Sequence, residues 1–114
     1  PVCMIAGGET TVTVKGTGRG GRCQEVALAA ALELGPADDL VVLAAGTDGT
    51  DGPTDAAGGL VDAGTAGRGR ARGLEARRAL DDNDAYPFLG ATGDRIVTGP
   101  TNTNLLDLYL IVRP

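Results

Sequence analysis

Glycine divides this chain of 114 residues into short apolar runs, and that division limits what it can fold into. Glycine costs backbone entropy, so the 19 present imply tight turns and places where backbone comes close to something else. The runs between them carry two different periods. Val2–Ala6 reads as a short buried strand that Gly7-Gly8 breaks, and Glu9–Lys15 alternates with Val12 and Val14 on one face, as a half-buried strand does. After the loop Gly16–Gly21, the Ala- and Leu-rich stretch Arg22–Leu34 reads as a helix stopped by Gly35-Pro36. Leu40–Ala45 is continuously apolar and bounded by turn residues, which predicts a central strand. Gly58–Asp62 reads as a strand or a helix end, one or two short helices run on to Leu80, and Asn83–Leu89 reads as a helical turn. Arg95–Val97 and Leu105–Val112 complete the set as strands. Strands alternating with helices predict one compact α/β domain with a mixed, mostly parallel sheet.

Composition narrows the function classes. The net charge of −5 argues against nucleic acid, which needs a basic footprint. Arg68, Arg70, Arg72, Arg77 and Arg78 form a local group that reads as a solvated helix face. Two cysteines and no histidine make neither a disulfide scaffold nor a zinc site, and fit a reduced, cytoplasmic compartment. No apolar run reaches membrane-spanning length, so no membrane role is expected. Only 3% of the residues are aromatic, so Val, Leu, Ile and Ala must fill the core. The chain opens directly on an apolar segment, as a piece of a longer protein would.

Three loops carry candidate chemistry. The first, Gly16–Glu25, lies between a strand and a helix. Its glycines and the free N–H groups at a helix N-terminus suit an anion, with Arg19 and Arg22 flanking the opening; no Ser, Thr, Asp or Asn stands at the N-cap to occupy those donors. A tight turn with exposed arginines is the equally open alternative. Gly16, Gly18 and Gly21 also satisfy the dinucleotide spacing G-x-G-x-x-G, although the following Arg22, Cys23, Gln24 and Glu25 do not resemble the small apolar opening of such a helix.

The second loop, Gly46–Asp55, follows the expected central strand, where open α/β sheets bind ligands. Its carboxylates could hold Mg²⁺ or act as a base. They also suit Asx-turns and caps. Asp48 is assigned to function, Asp51 to either role, and Asp55 mainly to capping a helix. The third loop, Thr98–Asn104, is dense in hydroxyls and amides and suits either a polar ligand or turns.

Taken together, Ala6–Val12, Gly18–Glu25, Gly46–Gly58, Asn83-Asp84 and Thr98–Asn104 resemble the MOFRL domain of glycerate 2-kinases, a family also labelled hydroxypyruvate reductase. The resemblance implies the C-terminal domain of a two-domain enzyme that moves the γ-phosphoryl group of ATP onto glycerate. Mg²⁺ serves as cofactor, and a larger N-terminal domain supplies further catalytic groups. It places the family's catalytic Arg on Arg22 and its catalytic Asp on Asp48, with Asp51 as a second candidate Mg²⁺ ligand. It puts Glu9 and Thr10 at the interdomain cleft. It implies substrate or phosphate contacts from Gly18, Arg19, Gly20, Gly21, Gln24, Glu25, Thr101, Asn102, Thr103 and Asn104. Cys23 stands where the family usually has Asn, which bears on substrate contacts beside Arg22. Asn102 stands where the family usually has Gly, a change that Asn's tolerance of left-handed backbone makes neutral. Two other readings remain open: an NAD(P)-dependent hydroxypyruvate reductase, and a non-catalytic anion-binding domain if the chain stands alone.

Overall fold

A computed structural model describes residues 1–114. Five strands form one sheet: β1 (Val2–Gly8), β2 (Val41–Gly46), β3 (Gly58–Asp62), β4 (Arg95–Ile96) and β5 (Asp107–Arg113). Their spatial order is β1-β5-β2-β3-β4, and every neighbouring pair is antiparallel. The expected mostly parallel sheet is therefore corrected. β1 and β2 run in the same direction on either side of a helix, as the alternation implied, but β5 inserts between them and reverses both pairings.

Four helices accompany the sheet: α1 (Arg22–Glu33), α2 (Thr65–Ala71), α3 (Ala76–Asp81) and α4 (Ala85–Thr92). Alanine and leucine favour α1, and Leu34 leaves the helix in extended backbone just before Gly35-Pro36. Cys23, Ala27, Leu28 and Ala31 form its buried stripe, which packs on β2 and β3. Burying Leu28 completely contributes roughly 1.5–3 kcal/mol. The approach is close because Gly59 of β3 has no side chain; a Cβ there would lie 2.8 Å from the Ala27 Cβ and 2.9 Å from Leu89 Cδ1. Phe88 fills the core under α2, where a Cβ on Gly69 would meet its ring at 2.3 Å. A side chain larger than hydrogen would push α1 off the sheet at Gly59 and part α2 from α4 at Gly69.

Two strand expectations do not hold. Glu9–Lys15 is not a strand; the segment crosses the molecule without a ladder partner, and Val14 is 76% exposed. Of its two alternating valines only Val12 is half-buried, so the pattern marks no buried face. Val2–Gly8 is a strand but not a buried one, since it is an edge strand whose residues are all exposed in this chain. Gly58–Asp62 resolves as a strand, and the arginines Arg70, Arg72, Arg77 and Arg78 are exposed on the short helices. No helix is long and apolar enough to cross a membrane.

Candidate functional site

At one end of the sheet the last residue of β1, the first of β5 and the last of β2 stand in a row: Gly8, Asp107, Gly46. The Asp107 side chain is wholly buried there. It accepts from Arg22 Nε at 2.6 Å and Arg22 Nη2 at 2.8 Å, a two-pronged pair. The Tyr109 hydroxyl donates to the same carboxylate at 3.2 Å, and the Cys23 thiol lies against it. Burial alone would raise the Asp107 carboxyl, but the hydrogen bond and charge of Arg22, helped by Cys23 and Tyr109, hold it below the usual carboxylate range. Arg22 in turn is held firmly charged, chiefly by its hydrogen bond to Asp107. Burial, then the charges of Asp51 and Asp107, push the Cys23 thiol well up and keep it unreactive.

Around this pair lie several of the residues expected from sequence. Glu9 Oε1 is 4.0 Å from Arg22 Nη2, and Thr10 lines the adjoining groove. Thr10, Gly18, Gly20, Gly21, Arg22 and Glu25 share a groove of about 500 Å³ under the 10–14 segment. The N–H groups of Gly20, Gly21 and Arg22 donate to nothing within the protein. These residues line the groove together with the acid Glu25, so backbone donors, one guanidinium and one carboxylate share it.

Most of the glycine loop faces the protein itself. Lys15 N and Gly16 N donate to Asn83 Oδ1, Thr17 N to Asp82 Oδ1, Gly18 N to the Asp82 carbonyl and Arg19 N to Asp84 Oδ1. Asn83, at φ +57°, also donates to the Thr13 carbonyl and to Glu25, so one side chain pins both ends of the turn. The glycines serve this chain-to-chain approach: a Cβ on Gly18 would sit 2.4 Å from the Asp84 Cβ, and one on Gly21 2.4 Å from Asp51 Cγ.

The donors inside the first turn of α1 are likewise taken. Asp51, 1% exposed, accepts from Cys23 N, Gln24 N and the Gln24 side-chain amide, each at 2.9 Å. The expectation that no side chain meets the helix N-terminus is corrected: the cap comes from 28 residues away instead of from the N-cap position. Asp51 and Gln24 are thereby interior groups, and both Asp51 oxygens already accept hydrogen bonds. Asp55, expected to cap a helix, caps none; β3 follows it, and its Oδ1 accepts from the Tyr86 hydroxyl at 2.6 Å. Arg19 turns away from Arg22 and lies over the Tyr86 ring at 4.5 Å.

Asp48 makes an Asx-turn, accepting at Oδ1 from Thr50 N at 2.9 Å. The third loop braces the second from outside: Thr101 N donates to the Asp48 carbonyl, the Thr101 hydroxyl to the Thr47 carbonyl, and Leu105 N to the Thr47 hydroxyl. The Thr103 carbonyl accepts from the Thr101 hydroxyl, and Asn104 Oδ1 accepts from Leu106 N. Asn102 has φ +61°, so the backbone there needs a residue such as Gly or Asn. Asp48 and Asp51 do not converge, and no three His, Cys, Asp or Glu side chains are grouped to hold a metal ion. Both Asp51 oxygens are engaged by the start of α1, whereas only Oδ1 of Asp48 is bonded, so Asp48 is the one of the two that could still offer an oxygen to a metal ion.

Sequence reading missed Asp107, Tyr109 and the pinning role of Asn83. A lone acid at the head of an otherwise apolar strand was the available signal for Asp107. Cys23, which stands where the family usually has Asn, is buried in the core beside Asp107. The dinucleotide reading is weakened, because no strand precedes Gly16 and the N–H groups of residues 16–19 are engaged with residues 82–84.

Comparison with known proteins finds a family for the whole chain. The MOFRL family profile matches residues 2–107. A D-glycerate 2-kinase of Thermotoga maritima is 51% identical over 96% of the chain, and a human glycerate kinase is 45% identical over all of it. The solved structure of a Thermotoga maritima glycerate kinase superposes on the whole chain with a TM-score of 0.97 at 49% identity, covering 28% of that protein. A Pyrococcus horikoshii structure superposes on 98% of the chain, and 26% of its own, with a TM-score of 0.92 at 42% identity. The chain spans 26% of the length of the first relative and 23% of the human one, about a quarter of each.

Proposed function

This chain belongs to the MOFRL family, and on that premise we propose that it is the C-terminal domain of a glycerate 2-kinase and brings Arg22 to the reacting phosphoryl group. One observation carries the reading: Arg22 opens onto a groove beside three unengaged backbone N–H groups, an arrangement suited to phosphate or carboxylate oxygens. The glycerate 2-hydroxyl oxygen attacks the γ-phosphorus of ATP, the bond to ADP breaks, and the hydroxyl proton leaves to a base. Such a transfer needs charge neutralisation and alignment more than covalent help from the protein. Arg22 meets the transferring group or the glycerate carboxylate. Asp48, with Oδ1 held by its own turn, accepts from or orients the attacking hydroxyl with its other oxygen. Glu9 and Thr10, beside Arg22, face the remainder of the enzyme. Mg²⁺, when bound, would neutralise phosphate charge, and Asp48 would offer it a carboxylate oxygen.

Activity is expected only from a protein of the relatives' full length. The 114-residue chain by itself should transfer no phosphate from ATP to glycerate; turnover above that of its own Arg22→Ala variant overturns the two-domain assignment. In the full-length protein, phosphoglycerate formation should fall sharply in Arg22→Lys and Asp48→Asn. Consumption of reduced nicotinamide with hydroxypyruvate, and none of ATP with glycerate, would replace this reading with a reductase.

A further inference from the structure

We propose that Asp107 is the positioning residue of the site: it holds the Arg22 guanidinium by one edge so that the opposite edge is presented to the anion in the groove. The inference rests on the role given to Arg22 above. Three features of the pair support it. The hydrogen bonds use Nε and one hydrogen of Nη2, so Nη1 and the second Nη2 hydrogen remain for a ligand. Asp107 cannot follow a moving arginine. It is wholly buried, its backbone is paired with Gly8 on one side and Gly46 on the other, and its carboxylate is further tied by Tyr109. The other acid near Arg22 is no substitute anchor, because Glu9 lies 4.0 Å away with its side chain 54% exposed.

The pairing also explains why a carboxylate sits beside a group meant to meet phosphate. Asp107 cancels much of the guanidinium's charge, so it does not improve long-range attraction of an anion. What it supplies is direction: a long, flexible side chain is fixed before substrate arrives, and its free N–H groups need no search for the productive orientation. A purely structural ion pair has no need to leave one edge of the arginine facing a groove.

The test is a double-mutant cycle in the full-length protein, with Arg22→Lys, Asp107→Asn and the combination. Asp107→Asn keeps the shape but accepts poorly from two arginine donors. It should lower kcat by about 10- to 100-fold, as misplacement of a reacting group does, while KM for ATP and glycerate changes little. Added to Arg22→Lys it should cause almost no further loss. Arg22 Nε–H exchange with solvent, followed by NMR, should be slow in the parent and fast in Asp107→Asn. Full turnover in Asp107→Asn beside an impaired Arg22→Lys overturns the positioning role and leaves the Arg22 reading standing. Equal losses in both backgrounds also overturn it, since a merely structural residue behaves that way. Normal turnover in Arg22→Lys removes the Arg22 reading and this inference with it. If Asp107→Asn does not fold, Asp107→Glu decides. It retains the charge but displaces the carboxylate by one methylene; a folded variant with lowered kcat supports the proposal and one with parental kcat refutes it.

Discussion

The molecule contains two arginine–aspartate clusters, and they differ in what is left over. Arg68 donates to Asp62 at 3.1 Å, to the Thr65 hydroxyl at 2.9 Å, and to both oxygens of Asp94 at 2.9 and 3.1 Å. It ties the end of β3, the start of α2 and the turn before β4, so that its partners come from three separate places in the fold. Arg22 meets one buried carboxylate along one edge and faces a groove with the other. Both aspartates of the Arg68 cluster are partly solvated, with side-chain exposures of 46% and 11%, whereas Asp107 has none. A cation shared among several partners fastens elements together. One held by a single carboxylate, on an anchor that cannot move, suits the role proposed for Arg22.

The sharpest way to break this contrast is to make the same substitution in both places. In the full-length enzyme Arg22→Lys should lose about 100-fold or more in turnover with its melting temperature nearly unchanged, as loss of a charge-stabilising donor does. Arg68→Lys should keep its turnover and lose stability only. Equal kinetics in the two variants would remove the distinction.

Asp51→Ala tests the second region that reads as functional but is structural. It strips acceptors from two backbone N–H groups and an amide in the interior, and should cost about 3 kcal/mol of unfolding free energy. A urea midpoint that barely moves would show that water or another group can meet the start of α1.

Acid sharpens the comparison between anchors. Burial would raise the Asp62 carboxyl, but hydrogen bonds from Gly64 N and Arg68 outweigh it, and Arg22 does the same for Asp107. Both folded-state values lie below the unfolded one. Each pair therefore contributes stability that is full above the ordinary carboxylate range, around pH 4, and is lost as pH falls through the lower folded value. Arg22→Met leaves Asp107 buried without its cation, so its carboxyl should rise and acid unfolding should begin at higher pH. Arg68→Met should shift that onset less, because Asp62 keeps its backbone donor and is half in water. Melting temperatures between pH 2 and pH 6 read the difference, and equal shifts would count against it.

Asp55→Asn should have the smallest effect, within about 0.5 kcal/mol and without change in turnover, since an exposed amide oxygen still accepts from Tyr86. A large kinetic loss would return Asp55 to the site.

Much of this was legible in the residues themselves. The helix at Arg22, the central strand after Leu40 and the strand near Leu105 follow from period and from flanking Gly and Pro, which act over a few neighbours. The motif Gly-Gly-Arg-Cys-Gln-Glu located Arg22, and a positive φ at Asn102 was expected from Asn's local tolerance. The order of the strands was not legible. Nothing in β1 or β2 alone states that β5 will lie between them, because pairing is settled by which edges meet after the chain returns.

The same limit governed the charges. Composition placed acids and arginines in loops but could not say which would meet. Arg22 and Asp107 are 85 residues apart, and Cys23 and its cap Asp51 are 28 apart. Three positions separate Asp48 from Asp51 in the sequence, yet one stays at the surface in its own turn and the other closes a helix from inside. Local sequence determined which residues could carry charge on a loop beside a helix. Only the folded path decided which of those charges the protein neutralises itself and which it leaves facing the groove, since desolvation and pairing depend on neighbours brought in from far along the chain.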